Sequence, residues 1–149
     1  MNVLIGVDES PFSVAAVEHV KGTPWPKGTR FRVVSASPPI FPSAGDAAMP
    51  DVIAQVIAQQ DRYHQDMAER ASAALREAGG TAEAAMVSGD PRSVLVEEAR
   101  RWKADLVVVG SHGRSGLKRM VLGSVAEHVV RQAPCSVLIV KQPHSDAKD

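Results

Sequence analysis

The sequence has a single cysteine, Cys135, and no excess of charge of either sign. One cysteine cannot form a disulfide within the chain, which favours a reducing compartment. Lysine plus arginine number 17, and so do aspartate plus glutamate. Because proteins that bind nucleic acid or membrane surfaces normally carry a basic excess, we expect neither as a partner.

Long apolar runs are also missing. No stretch approaches the roughly 20 apolar residues that span a bilayer. Residues 1–8 lack the basic region and cleavage site of a signal peptide, so we expect a cytoplasmic protein. A chain of 149 residues is long enough for one domain with its own core. We predict a single domain over 1–142 and a flexible polar tail over 143–149.

Several catalytic and binding motifs are absent as well. The chain has no Gly-x4-Gly-Lys-Ser/Thr loop and no Gly-x-Gly-x-x-Gly after a strand, which excludes the usual P-loop and NAD-binding types. Residues 113–117 approach the hydrolase pattern Gly-x-Ser-x-Gly but end in Leu117. The five histidines show no pair at metal-ligand spacing.

Five short apolar runs alternate with helical patterns along the chain. The runs predict strands over 3–7, 30–36, 82–87, 106–109 and 136–140. Ser10-Pro11 and Asp90-Pro91 are typical helix starts, and Gly79-Gly80 is typical of a helix end. Alternation of strands and helices predicts an α/β fold: an open five-stranded parallel sheet of order 3-2-1-4-5 with helices on both faces.

Two helices in this pattern have apolar stripes that we expect to pack on the sheet. In the first, the stripe includes Phe12, His19 and Val20. In the long second helix, over 50–78, it begins at Val52 and Ile53 and continues through residues 56, 57, 63, 67, 71, 74 and 75. Such stripes are nearly always core packing, so no chemistry is assigned to them.

A glycine-rich loop follows the fourth predicted strand. It can be written Gly-x2-Gly-x9-Gly-Ser, from Gly110 through Gly113 to Gly123-Ser124, where a helix begins. Glycine lets the backbone approach a ligand closely or take a positive φ, and a helix amino terminus attracts anions. Phosphate binding is one interpretation of this loop, and simple turn formation is the other.

Asp8 ends the first strand, which the predicted order places beside the fourth. Asp8 and the glycine loop would then face one crevice at the carboxyl edge of the sheet. The carboxylate could accept hydrogen bonds from ribose hydroxyls or hold a metal near phosphates, or it could simply favour the helix dipole. His112 is presented by the loop as a ligand contact rather than a base. Three basic residues could screen phosphates or form a solvated face, namely Arg114, Lys118 and Arg119.

Residues 109–114, Val-Gly-Ser-His-Gly-Arg, and 122–126, Leu-Gly-Ser-Val-Ala, resemble the ATP-binding signature of the universal stress protein family. The resemblance runs from residue 3 to about 141 and implies a Rossmann-like fold of the adenine nucleotide alpha hydrolase type. It implies that Asp8 contacts the nucleotide, that Ala36 lines the adenine pocket in place of a larger aliphatic residue, and that Val109 flanks it. Phosphates and ribose would be held by Gly110, His112, Gly113, Gly123, Ser124, Val125 and Ala126.

The resemblance also implies the ligand and the assembly. We expect ATP or AMP, with Mg²⁺ or Mn²⁺ at the phosphates, and a homodimer formed through the last strand, Ser136–Val140, acting as a nucleotide-dependent switch in stress response. Two alternatives remain open from the sequence: a slow ATPase or phosphotransferase, and a dimeric interaction scaffold that does not need nucleotide.

Overall fold

A computed structural model describes residues 1–113 and 121–142 of the chain. Arg114, Lys118, Arg119 and the predicted tail over 143–149 lie outside the described residues. In the described residues, five strands and four α-helices alternate, with one short 3₁₀ helix, Asp46–Ala48, before α2. They are β1 (Asn2–Gly6), α1 (Pro11–Gly22), β2 (Arg30–Ser37), α2 (Pro50–Glu77), β3 (Thr81–Ser88), α3 (Pro91–Arg101), β4 (Leu106–Gly110), α4 (Ser124–Gln132) and β5 (Ser136–Val140).

The five strands form one parallel sheet of order β3-β2-β1-β4-β5, which confirms the predicted fold class and strand order. The register pairs Ile5 of β1 with Val33 of β2 on one side and with Val108 of β4 on the other. Because β1 and β4 are neighbours, the chain leaves the sheet in opposite directions at this point. Open α/β sheets form their ligand crevice at such a switch point.

Two helical layers cover the sheet. Alternate side chains of β1 serve both: Val3 and Ile5 pack with α1 and α2, whereas Leu4 packs with α3 and α4. All three are fully buried, as expected for parallel strands covered on both faces. Within the described part of the chain, no helix is both long enough and apolar enough to cross a membrane.

Local helix signals determine where the helices begin and end. The Ser10 hydroxyl accepts a hydrogen bond from the Ser13 N–H, and the Asp90 carboxylate accepts one from the Arg92 N–H. Each cap is followed by proline at the first helical position, which confirms both predicted helix starts. Gly79 follows Ala78, the C-cap of α2, and has φ +90°, the left-handed conformation that favours glycine at a helix end.

The apolar stripe of α2 was predicted wrongly for the first half of the helix. Val52, Val56 and Tyr63 are all about half exposed. The buried residues of α2 lie in its second half, at His64, Met67, Ala68, Ser72 and Leu75. The stripe of α1 is also shifted, because His19 is exposed whereas Ser13, Ala16, Val17 and Val20 are buried. The first part of α2 is exposed because this helix of 28 residues is longer than the strands it covers.

Candidate functional site

A cavity of about 270 Å³ lies at the carboxyl edge of the sheet, beside the ends of β1 and β4. Small-ligand pockets occupy roughly 300–1,000 Å³, so the cavity is near the lower end of that range. All ten predicted site residues line it: Asp8, Ala36, Val109, Gly110, His112, Gly113, Gly123, Ser124, Val125 and Ala126. The structure therefore brings together two segments about one hundred residues apart in the chain.

Asp8 is held by the first turn of α1. Its Oδ1 accepts a hydrogen bond from the Ser10 N–H (2.8 Å), and its own N–H donates to the Ser13 hydroxyl (3.0 Å). These two bonds fix the carboxylate on the cavity wall. A Cβ built on Gly113 would lie 3.1 Å from Asp8 Oδ2. The carboxylate of the first segment therefore meets the glycine loop directly.

The glycine loop is closed at its base by backbone hydrogen bonds. Gly123 N–H donates to Ser111 O (2.8 Å), and Ser111 N–H donates to Val140 O (2.9 Å). The first bond brings the start of α4 next to the end of β4. The His112 ring packs at a tilt against Phe12, with 5.1 Å between ring centroids, and its Nδ1 lies 3.0 Å from the Ser111 hydroxyl. His112 is thereby positioned at the cavity by α1 and by its own neighbour.

Close packing explains the glycines at 110 and 123. A Cβ on Gly110 would lie 2.7–2.8 Å from Phe12 Cβ and its backbone C and O. A Cβ on Gly123 would lie 3.1 Å from His112 Cα. Gly110, Gly113 and Gly123 all lack a positive φ, so close approach of the backbone, rather than a left-handed conformation, accounts for glycine at 110 and 123. Glycine is needed because backbone segments of the protein itself approach so closely.

The amino terminus of α4 differs from those of α1 and α3. Its N-cap is Gly123, and within residues 1–113 and 121–142 no side chain forms a capping hydrogen bond there. The first turn, Ser124 to Ala126, lines the cavity. First-turn N–H groups that no described side chain caps, together with the positive end of the helix dipole, therefore face the cavity, an arrangement that suits an anion.

The remaining walls contain residues that sequence reasoning missed. Pro91 and Leu95 of α3 and Val34 of β2 complete an apolar wall around Ala36 and Val109. Pro91 follows the α3 cap, where the side-chain and backbone hydrogen bonds from Arg92 lower the pKa of Asp90 to about 2. Pro91 could have been predicted to line the cavity, because the turn before it follows β3 at the same carboxyl edge of the sheet. Gly6, Val7, Ser13 and His64 also line the cavity.

His64 is the least expected of these residues. It is 5% exposed, and its Nδ1 lies 2.8 Å from the hydroxyl of the fully buried Ser35. It belongs to the buried face of α2 with Met67, Ala68 and Leu75, at spacings of three, four and eleven residues. A polar residue on an apolar helical face is the signal that could have identified it.

The described residues offer little for an independent metal site. No group of three or more His, Cys, Asp or Glu side chains among them is placed to hold a metal ion. Asp8 is the one carboxylate among the described residues that line the cavity. Mg²⁺ is commonly held by one or two carboxylates together with substrate phosphates and water. The cavity thus fits a metal that arrives with a phosphorylated ligand.

A doubly wound α/β sheet, with a crevice at its switch point and a helix terminus there that no described side chain caps, defines a class of small-molecule-binding domains. Within that class, the sequence pattern of the "Universal stress protein family" matches residues 1–141. The chain belongs to this family.

Individual relatives support this assignment. The universal stress protein Sll1388 of Synechocystis is 33% identical over 105 residues, which cover 68% of each chain. The universal stress protein MJ0531 of Methanocaldococcus jannaschii is 49% identical over 61 residues, which cover 41% of this chain and 36% of that protein. That second alignment spans little more than a third of its relative.

Solved structures show the same fold. The M. jannaschii protein MJ0577 superposes with a TM-score of 0.82 at 24% identity, covering 97% of both chains. A universal stress protein in complex with cAMP has a TM-score of 0.62 at 30% identity and covers 94% of this chain and 95% of its own. A family member from Arabidopsis thaliana with AMP bound has a TM-score of 0.66 at 22% identity, covering 98% and 94%.

Proposed function

We propose that the protein binds an adenine nucleotide in the cavity between Asp8 and the glycine loop, and that binding regulates a dimeric stress-response protein. The amino terminus of α4 is the observation that carries this proposal. Its first-turn N–H groups face the cavity without a side-chain cap among the described residues. Phosphate is the usual ligand of such a terminus.

The other walls suit the rest of a nucleotide. Asp8 can accept hydrogen bonds from ribose hydroxyls, since its Oδ2 faces the loop while Oδ1 is occupied by Ser10. The apolar wall around Ala36 and Leu95 can pack on a flat base. The family member solved with cAMP, at 30% identity, supports this choice of ligand class. In the alternative role, Asp8 would hold Mg²⁺ or Mn²⁺ together with the phosphates of ATP, and the metal would neutralise their charge.

Calorimetric titration and thermal unfolding with ATP, AMP and cAMP, with and without Mg²⁺, test binding. We expect heat of binding and a raised unfolding temperature with at least one of them. Ser124→Glu should abolish binding because its carboxylate would occupy the phosphate position, while an acidic residue in the first helical turn preserves helix stability. Val130→Glu is the matched control, since Val130 is half exposed at the other end of the same helix. No heat and no thermal shift at millimolar nucleotide would reject the proposal.

The dimer is proposed through β5. This strand is at one edge of the sheet, pairs with β4 and carries the apolar side chains Val137, Leu138 and Ile139. An unpaired apolar edge is a template for pairing with a second copy. Leu138→Lys should convert dimer to monomer in light scattering, whereas Val14→Lys on the exposed face of α1 should not. If nucleotide acts as a switch, its addition should change the dimer dissociation constant measured by sedimentation.

Binding rather than turnover is the proposed activity. One carboxylate lines the cavity among the described residues, and its Oδ1 already accepts a backbone hydrogen bond. Its other oxygen, Oδ2, is already assigned to the ligand, so no further carboxylate among the described lining residues is left to activate a water molecule. Substantial phosphate release that Asp8→Asn abolishes would replace this proposal with a phosphohydrolase. A dimer that retains its protein partners after Ser124→Glu would instead favour the scaffold.

A further inference from the structure

We propose that the start of α2 is an interface with a second copy of this chain. In this arrangement the α2 helices of the two copies pack antiparallel, and the first part of each helix lies in a groove between α1 and α2 of the other copy. The interface is separate from the β5 dimer proposed above, because α2 packs on β2 and β3 at the opposite edge of the sheet. It does not depend on nucleotide binding.

Exposed apolar side chains concentrate at the start of α2. Ten large apolar residues are exposed in residues 1–113 and 121–142, and five of them lie within 49–63. These five are between 39% and 62% exposed: Met49, Val52, Val56, Ile57 and Tyr63. Apolar residues scattered singly are normal on a protein surface, whereas a contiguous group marks an interaction site. The cluster therefore indicates a contact surface.

The same face of α2 continues into a groove against α1. Val52, Val56, Tyr63 and Met67 are spaced four, seven and four residues apart, which places them on one side of the helix. Tyr63 and Met67 line a groove of about 400 Å³, and Val17 of α1 lines its other side. The exposed residues and the groove thus form one apolar strip along α2.

This apolar strip is complementary to a second copy of itself. When Val52 of one copy meets Met67 of the other, Val56 meets Tyr63, because four residues forward along one helix are four residues back along an antiparallel partner. A two-fold axis repeats both contacts. Residues 52–60 carry no charge, so in this register every charged residue within 61–67 lies opposite an uncharged segment. The apolar contacts form without bringing like charges together.

Opposite charges lie at the two ends of the overlap. In the same register Asp51 of one copy lies level with residue 68 of the other, within one helical turn of Arg70. Asp51 is exposed in the first turn of α2, and Arg70 lines the groove. The two-fold axis produces this pair of opposite charges twice. A parallel arrangement would instead bring the two Asp51 side chains together, so the charges favour the antiparallel second copy.

The size of the overlap indicates a weak interface. Residues 52–67 extend roughly 24 Å along a helix that is about 10 Å across, so the apolar strip covers on the order of 250 Å² of each copy. Each partner in a standard interface buries about 800 Å². We therefore expect an association that depends on protein concentration and adds to the β5 contact. With two separate two-fold interfaces, dimers would join into tetramers or longer chains.

Sedimentation equilibrium from low micromolar to near millimolar protein tests the interface. Wild type should be a β5 dimer at low concentration and at least a tetramer at high concentration. Val56→Glu places a carboxylate in the apolar strip and should halve the mass at high concentration. Ala58→Glu is the matched control, because Ala58 is also exposed but lies two residues further on, toward the other side of the helix; it should assemble like wild type.

Leu138→Lys separates this inference from the β5 dimer. This variant should be a monomer at low concentration and a dimer held by α2 at high concentration, and adding Val56→Glu should leave a monomer throughout. If wild type lacks the β5 dimer, only that earlier proposal fails, because Val56→Glu should still convert an α2 dimer to monomer. If the mass of wild type does not rise with concentration, or if Val56→Glu assembles like wild type, the inference is wrong.

Charge reversal tests the identity and direction of the partner. Asp51→Arg and Arg70→Asp should each raise the dissociation constant of the concentration-dependent step, because each places like charges at both ends of the overlap. The double variant restores opposite charges and should recover assembly. Unfolding temperatures of all three proteins control for effects on helix stability. A double variant that folds but assembles no better than the single variants would overturn the antiparallel second copy.

Discussion

Replacing Gly110 with alanine tests how the end of β4 meets the start of α1. The added methyl group would lie 2.7–2.8 Å from Phe12 Cβ, C and O. Two of these atoms are backbone, so a rotamer change cannot relieve the overlap. Overpacking usually costs about 1–3 kcal/mol, and the upper half of that range applies where backbone must move. For a chain of this size the unfolding temperature should fall by roughly 5–10 °C.

The same displacement should weaken nucleotide binding. Phe12 packs on His112, and the first turn of α1 holds Asp8 through Ser10 and Ser13. Urea unfolding and AMP titration of Gly110→Ala measure the two effects. Gly22→Ala is the matched control, because no neighbouring atom lies within 4 Å of its added Cβ and alanine is favoured by about 1 kcal/mol in a helix. If Gly110→Ala is as stable as wild type, the close approach does not constrain this position and the reasoning is refuted.

Three further predictions concern residues outside the cavity. Glu98 is 1% exposed and pairs with Arg32 (3.1 Å) and Arg101 (3.0 Å). Arg32→Met should lower the free energy of unfolding by about 3 kcal/mol, as expected when a buried carboxylate loses a partner. Arg101→Met changes an exposed side chain and should lower the free energy of unfolding by less than about 1 kcal/mol. In the folded protein the pKa of Asp90 is lowered from 3.8 to about 2, so the stability that its carboxylate contributes is complete above pH 3.8 and is lost as the pH falls through about 2. In acid unfolding curves, the stability difference between wild type and Asp90→Asn should diminish across that window. A constant difference would contradict the assignment. Burial and, to a smaller extent, the negative charge of Asp105 raise the pKa of the Cys135 thiol. Iodoacetamide should therefore alkylate the native protein more slowly than the urea-unfolded protein at pH 8. Equal rates would show that the thiol is not shielded.

The fold was predictable because each signal that determines it is local. Ser10-Pro11 and Asp90-Pro91 start helices whether or not the sheet has formed, and the short apolar run at 106–109 suits a strand buried on both faces. Strand order then follows from the few topologies that right-handed crossovers allow. The ten predicted site residues line one cavity because the carboxyl ends of neighbouring parallel strands meet at one edge of the sheet.

The orientation of α2 was not predictable from its stripe alone. Its 28 residues extend roughly 42 Å at 1.5 Å per residue, whereas the eight residues of β2 and of β3 extend roughly 26 Å. About ten residues of α2 therefore project past the sheet, which leaves Val52 and Val56 exposed. Apolar residues occur along the whole helix, so periodicity could not show which half meets the sheet. His64 was missed for this reason, because its side chain is at the cavity only when the second half is the buried one.

The helices α1 and α4 lie on opposite faces of the sheet, and this divergence accounts for the position of the cavity. After Gly6 the chain turns toward the layer of α1 and α2, and after Gly110 it returns through α4 to the opposite layer. In residues 1–113 and 121–142, this divergence leaves a gap at the sheet edge beside the ends of β1 and β4. Glycine at the end of each strand lets flanking elements close around that gap: a Cβ at Gly6 would lie 2.8 Å from Leu95, and one at Gly110 would overlap Phe12. The fold therefore creates the crevice, and Asp8 and the first turn of α4 line it.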